Sequence, residues 1–205
     1  MEIVYNDHEL VVINKPAGLL TVPGLSNPEN ALDTLKQTFP HALVVHRLDM
    51  ATSGLVVFAK TPSAQRYMGK LFEHRNITKH YTAVVQGQVP STCGEISSPL
   101  LCDWHNRPRQ KVDWLNGKLS ITFFELTKRD AVNDCTRLTL TPYTGRSHQL
   151  RVHMQQLGHP IIGDYFYGCE LSKARSPRLL LHASSLQFVP PGGCEAIQIV
   201  SPADF

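Results

Sequence analysis

No phosphate-cradling loop occurs in the 205 residues: neither GxxxxGK[ST] nor GxGxxG is present, which argues against a nucleotide cofactor. The GxSxG nucleophile elbow is missing too. Five cysteines are present, at 93, 102, 135, 169 and 194. They form no CxxC pair and their number is odd, so a secreted disulfide framework is not indicated. They read as reduced thiols of a cytosolic protein, most of them expected as small buried apolar side chains. No apolar run approaches the roughly 20 residues needed to span a bilayer. The stretch from Met1 to Asp7 has neither the basic region nor the apolar core of a signal peptide. The expectation is a soluble, cytoplasmic chain with no membrane partner.

What is present is an ordinary globular composition, 42% hydrophobic and 18% charged. The length suits one large domain, or one domain with a small subdomain, and can bury a core without disulfides or metals. The net charge of +3 is modest, and its distribution says more than its size. Arg66, Lys70, His74, Arg75, Lys79 and His80 form one basic run, Arg107, Arg109 and Lys111 a second, and Lys173, Arg175 and Arg178 a third. Each can be a solvated face; together they point to a groove for a polyanion.

Leu10–Asn14 reads as a buried strand closed by the turn Lys15-Pro16-Ala17-Gly18. Gly24–Asn30 is a loop, and Ala31–Phe39 a helix with Leu32, Leu35 and Phe39 on one face and Pro40 as its stop. Leu55–Ala59 is a strand leading to Thr61-Pro62, an N-cap followed by the residue favoured at the first helical position. Tyr81–Val85, Leu119–Thr127, Thr136–Pro142, Leu179–Ala183 and Ala196–Val200 read as further strands. Cys102–Asn116, polar and basic with both tryptophans, is a long loop or hairpin tip. Ser147–Leu157 is a helix capped by Gly158. Many strands with few, scattered helices predict an α+β fold around a mostly antiparallel, mixed sheet.

Three segments can carry chemistry. His46-Arg47-Leu48-Asp49-Met50-Ala51-Thr52-Ser53-Gly54 lies in a loop ahead of a strand, where catalytic groups tend to sit. Asp49 is the carboxylate in it, and spacing alone does not separate a catalyst from a turn former. Thr144-Gly145-Arg146-Ser147-His148-Gln149-Leu150-Arg151 puts Arg146 just ahead of a helix N-terminus, the kind of end that attracts anions. His148 and His153 are five apart rather than four, so they do not form a metal-binding helix pair. Lys79-His80-Tyr81-Thr82-Ala83-Val84 sets an aromatic at a strand start, suited either to the core or to stacking on a nucleobase.

In this order, the three segments resemble the motifs of the RluA family of pseudouridine synthases, with Gly163-Asp164 and Leu180-Leu181-His182-Ala183 matching as well. The similarity runs from Val11-Val12-Ile13-Asn14-Lys15-Pro16 to Pro202-Ala203-Asp204-Phe205. It is closest to the dual-specificity branch, whose members modify one uridine in 23S ribosomal RNA and one in a tRNA anticodon stem-loop. That closeness rests on residues 49–54, on Cys102–Val112 and on the Pro-Ala-Asp-Phe ending. The resemblance implies a single catalytic domain over 1–205, with no room before Leu10 for the N-terminal S4 domain many relatives carry. It also implies no cofactor, no metal and a monomer acting on structured RNA. Asp49 would be the catalytic carboxylate, Arg146 would pair with it and keep it charged, and Tyr81 would stack on the uracil. Arg47 would brace the gap left by the flipped nucleotide. His46, Leu150, Arg107, Arg109 and Lys111 join the substrate side. Three readings remain beside this one: an inactive RNA-binding protein on the same fold, a hydrolytic RNA N-glycosidase, and a structural protein.

Overall fold

The computed structural model describes residues 1–24 and 28–205, so the middle of the loop expected over Gly24–Asn30 lies outside the described residues. Among the described residues, eleven strands and four α-helices make this an α+β fold. The chain divides into two compact units: Met1–Lys79 with His182–Asp204, and His80–Leu181 with Phe205.

The first unit contains β1 (Glu2–Asn6), β2 (Leu10–Lys15), α1 (Ala31–Lys36), β3 (Leu43–Val44), β4 (Ser53–Ala59) and α2 (Pro62–Glu73). The returning segment adds β10 (Leu181–Phe188, whose first residue belongs to the second unit) and β11 (Ile197–Val200). β2 pairs with β1 on one side and β4 on the other, both antiparallel. β4 runs parallel to β10 through Ser53–His182 and Gly54–Ala183, and β11 closes antiparallel on β10. Every residue of β4 is buried. Its Leu55, Val57 and Ala59 join Leu10, Val12, Met68, Leu186 and Phe188 in one core. α2 starts where Thr61 accepts from the Ala64 amide at 3.1 Å, with Pro62 in its first turn. Helix α1 is shorter than expected, because the chain leaves it at Gln37.

The second unit contains β5 (Thr78–Gln86, whose first two residues belong to the first unit), β6 (Cys93–Cys102), β7 (Gln110–Val112), β8 (Lys118–Asp130) and β9 (Cys135–Pro142). Helices α3 (Gln149–Gln156) and α4 (Glu170–Ala174) follow. The antiparallel order is β5-β9-β8-β6-β7. β9 alternates buried and partly buried residues throughout, and β8 alternates buried and more accessible ones from Ser120 to Glu125, as a sheet with one covered face requires. The face of α3 is broader than a helical stripe, with Gln149 through Met154 all buried. Its charge is matched inside: Arg151 grips Asp164 with Nε–Oδ2 at 2.8 Å and Nη2–Oδ1 at 2.7 Å. Asp164 Oδ1 also accepts the Phe166 and Tyr167 amides at 3.0 and 3.1 Å.

One expectation fails in the packing. None of the five cysteines is buried: Cys93, Cys169 and Cys194 are exposed, and Cys102 and Cys135 are partly so. They sit at strand ends and in loops, where position decides exposure and the apolar character of the thiol does not.

Candidate active site

The loop carrying Asp49 belongs to the first unit, and its backbone is held from both sides of the carboxylate. On the N-terminal side, Leu48 is buried, and the Thr21 hydroxyl donates to its carbonyl at 2.9 Å while accepting from its amide at 3.1 Å. On the C-terminal side, the Met50 carbonyl accepts from the Gly18 amide at 2.8 Å and from Lys15 Nζ at 3.2 Å. A turn bond from Thr52 N–H to the Asp49 carbonyl, 3.1 Å, closes the loop. Asp49 itself is half-buried. Arg47, on the same loop, is exposed.

Lys15 is a fully buried lysine whose ammonium also donates to the carbonyls of Pro16 at 2.9 Å and Leu19 at 2.8 Å. Burial pushes the ammonium down to about 8, and the Asp49 charge opposes that fall. This residue escapes a sequence reading because its acceptors include a carbonyl at position 50, far along the chain. The only hint is an apolar strand ending in a lysine and a proline.

His46 holds the start of the loop. Its Nε2 accepts the Val57 amide of β4 at 3.0 Å, and its ring packs on Phe72 of α2 at 4.6 Å between centroids. Burial and then the charge of Lys79 depress the imidazole to about 3, so it is neutral at ordinary pH. The end of the loop is fixed at Ser53, whose hydroxyl bonds His182 Nδ1 at 2.9 Å. His182 Nε2 reaches the Ser201 carbonyl at 3.0 Å. Since a carbonyl only accepts, Nε2 carries the proton, Nδ1 accepts, and Ser53 donates. Next to it, Gly54 has φ +111°, and a Cβ there would lie 2.4 Å from the Ala183 carbonyl oxygen. Only glycine allows β4 to approach β10 so closely.

The second unit carries Tyr81, Arg146, Leu150 and the basic residues of the β6–β7 connection. Tyr81 is half-buried in β5, paired with Leu140 of β9. Beside it His80 Nδ1 bonds the Thr141 hydroxyl at 2.9 Å. Arg146 is exposed at the end of a turn that the buried Gln149 organises. Gln149 Oε1 accepts the Arg146 amide at 3.0 Å and the Thr144 hydroxyl at 2.7 Å. Its Nε2 donates to the Ile121 carbonyl at 2.9 Å and the Thr122 hydroxyl at 3.0 Å, tying the turn to β8. His148 enters α3 in the left-handed conformation, φ 54°, and its Nδ1 bonds the Tyr167 hydroxyl at 2.7 Å. Leu150 is buried.

The basic runs differ in their surroundings. Arg107 stacks on Trp104, and Arg109 lies 5.8 Å from the Phe166 ring centroid. Lys111 stays largely exposed with Asp113 at 3.8 Å. Arg175, by contrast, is spent internally, donating to Gln86 Oε1 at 2.7 Å and to the Asp134 carbonyl at 3.0 Å. Among the described residues no group of three or more His, Cys, Asp or Glu side chains is placed to hold a metal ion. No helix among them is long and apolar enough to cross a membrane.

A profile of the RNA pseudouridylate synthase family matches residues 9–156, a span that includes both the Asp49 loop and the Arg146 turn. The chain belongs to that family. It is 46% identical to the dual-specificity RNA pseudouridine synthase RluA of Haemophilus influenzae, covering all of this chain and 94% of the relative. It is 44% identical to the RluA of Escherichia coli K12, covering 99% and 93%. Among solved structures, human RNA pseudouridylate synthase domain containing 1 superposes with a TM-score of 0.85 at 29% identity, covering all of this chain and 84% of that one. Human RNA pseudouridylate synthase domain containing 4 gives 0.79 at 26% identity, covering 98% and 88%. Family membership makes the chain an RNA pseudouridine synthase, an isomerase.

Proposed function

We propose that the enzyme isomerises one uridine in large-subunit ribosomal RNA and one in a tRNA anticodon stem-loop, with Asp49 as its catalytic carboxylate. The observation that supports Asp49 most directly is the pinning of its neighbours. The Leu48 and Met50 carbonyls are both held, and a buried ammonium lies behind the loop. A loop held in this way presents its carboxylate with little backbone reorganisation when the substrate arrives.

The reaction breaks the N1–C1′ bond of uridine, turns the base, forms a C5–C1′ bond, and moves a proton from C5 to solvent while N1 regains one. It is redox-neutral and balances with no co-reactant. Asp49 acts at the sugar, as nucleophile or as base, and needs to be ionised for either. Tyr81 serves as the stacking partner of the uracil, and Arg146 as the cation that supports the carboxylate. Arg47, exposed on the Asp49 loop, takes the space vacated by the flipped nucleotide. His46 contributes through the loop it anchors, and Leu150 through the helix it packs. Arg107, Arg109 and Lys111 supply phosphate contacts. We place the protein in the cytoplasm, working as a monomeric catalytic domain.

The test is incubation with tRNA and ribosomal RNA fragments carrying tritium at uracil C5. Wild type should release tritium from both classes, while Asp49→Ala releases none and binds both RNAs with little loss. Release from one class alone refutes dual specificity. Free uracil among the products would mean hydrolysis instead of isomerisation.

A further inference from the structure

We propose that Trp104 is a stacking platform for an unpaired nucleotide of the substrate RNA, with its ring set in place by Arg107; this rests on the RNA-modifying reading above. The chain has two tryptophans, and both are exposed, at 64% for Trp104 and 72% for Trp114. An isolated exposed aromatic needs no explanation. Trp104 is different because the chain around it is built. It opens a 3-10 turn, Trp104–Asn106, at the tip between β6 and β7. Three backbone bonds lock the tip: Asp103 N–H to the Arg109 carbonyl at 2.9 Å, Asn106 N–H to the Asp103 carbonyl at 3.0 Å, and Arg109 N–H to the Asn106 carbonyl at 3.0 Å. The Asn106 side chain donates to the Asp103 carboxylate at 2.9 Å as well. The base of the tip is clamped where the Gln110 amide donates to the Tyr167 hydroxyl at 2.7 Å. A tip this well bonded that still leaves its largest apolar side chain in water has not spent the indole on folding.

The Arg107 guanidinium lies 3.3 Å from the Trp104 ring centroid, so a cation covers one face of the indole. The ring is thereby oriented before any ligand arrives. Arg107, Arg109 and Lys111 bring positive charge within a few residues, and the acids nearby, Asp103 and Asp113, are tied to Asn106 and to the 113–116 turn. An aromatic face beside guanidinium and ammonium groups complements a ligand with a flat π-surface and an adjoining anion, which is a nucleotide. In a paired A-form helix the base faces are taken by their neighbours, so the nucleotide in question is an unpaired one, in a loop or bulge. On this account the tip reads the state of the strand, paired or unpaired, and not the identity of the base.

Trp114→Phe leaves Trp104 as the single tryptophan, so its emission reports the indole directly. The probe is a synthetic stem-loop RNA from which wild type releases tritium, together with versions carrying an abasic residue at each unpaired position in turn. The intact RNA should quench Trp104 emission, and the quench should vanish for one abasic position. Trp104→Ala should raise KM about tenfold while kcat stays within about twofold, with Trp104→Phe recovering most of the loss. At the abasic position that abolishes quenching, Trp104→Ala should cost nothing further. Unquenched emission with an RNA that wild type still modifies, or the same penalty for Trp104→Ala on every abasic RNA, overturns the platform and leaves the synthase reading intact. No tritium release by wild type from any RNA would instead remove the reading on which it rests.

Discussion

Lys15 is a cation that burial works against, and three backbone carbonyls together with the Asp49 charge keep it protonated. Its folded value of about 8 lies below the ordinary 10.5. Between those values the unfolded chain binds the proton and the native chain does not, so this group makes stability rise with pH across that window and is most costly below it. Catalysis should move the other way, because above pH 8 the positive charge behind the Asp49 loop disappears. Wild-type kcat is expected to decline as pH rises past about 8, and Lys15→Met should lack that decline. The same variant leaves the Pro16 and Leu19 carbonyls without their donor and the Met50 carbonyl with the Gly18 amide alone, and should lower stability by about 3 kcal/mol, read from urea midpoints. An alkaline limb of the same shape in Lys15→Met would refute the role. His46 gives the opposite test, at acid pH. Its folded value of about 3 lies below the ordinary 6.5, so the unfolded state alone takes up a proton as pH falls through 6.5, and stability is lost from there down towards 3. His153, buried between Ser98 and Thr122 and lowered to about 4, contributes with the same sign. His46→Gln keeps an acceptor for the Val57 amide, and its urea midpoint should therefore fall less steeply between pH 6.5 and 4 than that of wild type. Equal slopes would mean that His46 is charged in the native state.

At the level of elements, the Asp49 loop is only as rigid as the strand that follows it. β4 enters the sheet at Gly54, where a methyl group would collide with the Ala183 backbone and the φ of +111° excludes other side chains. Gly54→Ala should cost about 3 kcal/mol or more and abolish activity with it, whereas Gly69→Ala, where a Cβ meets nothing within 4 Å, should leave the urea midpoint unchanged or raised. Elements with a strong local signal were legible: α2 from Thr61-Pro62, and β2 and β4 from apolar runs buried along their whole or nearly whole length. β1 was not, because an edge strand with Glu2 and Asn6 at its ends has little to bury. β6 was not, because Gly94, Ser97, Ser98 and Pro99 are poor strand formers that its pairing with β8 overrides. The same division holds for the candidate site. The Asp49, Tyr81 and Arg146 segments were legible as motifs, carried by their resemblance to a family. The bonds that Lys15, Gln149, His182 and Tyr167 make were not, since each runs to a partner distant in sequence: Met50, Ile121, Ser201 and Gln110. A lone polar residue in a sequence gives no indication of the acceptor it will meet.

For the molecule as a whole, a formal charge of +3 is too small to hold RNA by bulk attraction, so binding depends on where the cations are placed. The basic runs do not contribute alike. The guanidinium of Arg175 is bound to Gln86, Asn133 and Asp134 within its own unit, and Lys173 pairs with Glu170 at 3.0 Å. Among the described residues, Arg107, Arg109 and Lys111 have no such internal acceptors apart from the loose Lys111–Asp113 pair, and they surround a tip that the fold holds in place. Each phosphate neutralised releases condensed counterions, so the slope of log affinity against log salt becomes shallower by roughly 0.7–0.9 for every phosphate that a variant no longer neutralises. Arg107→Ala and Arg109→Ala should each flatten that slope by about one phosphate and weaken RNA binding at moderate salt, with turnover of bound RNA nearly unchanged. Arg175→Ala should do the reverse, lowering the urea midpoint because Gln86 Oε1 and the Asn133 carbonyl lose the guanidinium that holds them, while the salt slope stays as in wild type. Binding isotherms at four or more salt concentrations, run beside urea melts of the same variants, separate the two classes. A flattened slope in Arg175→Ala, or unchanged slopes in both tip variants, would move the RNA path away from the β6–β7 connection.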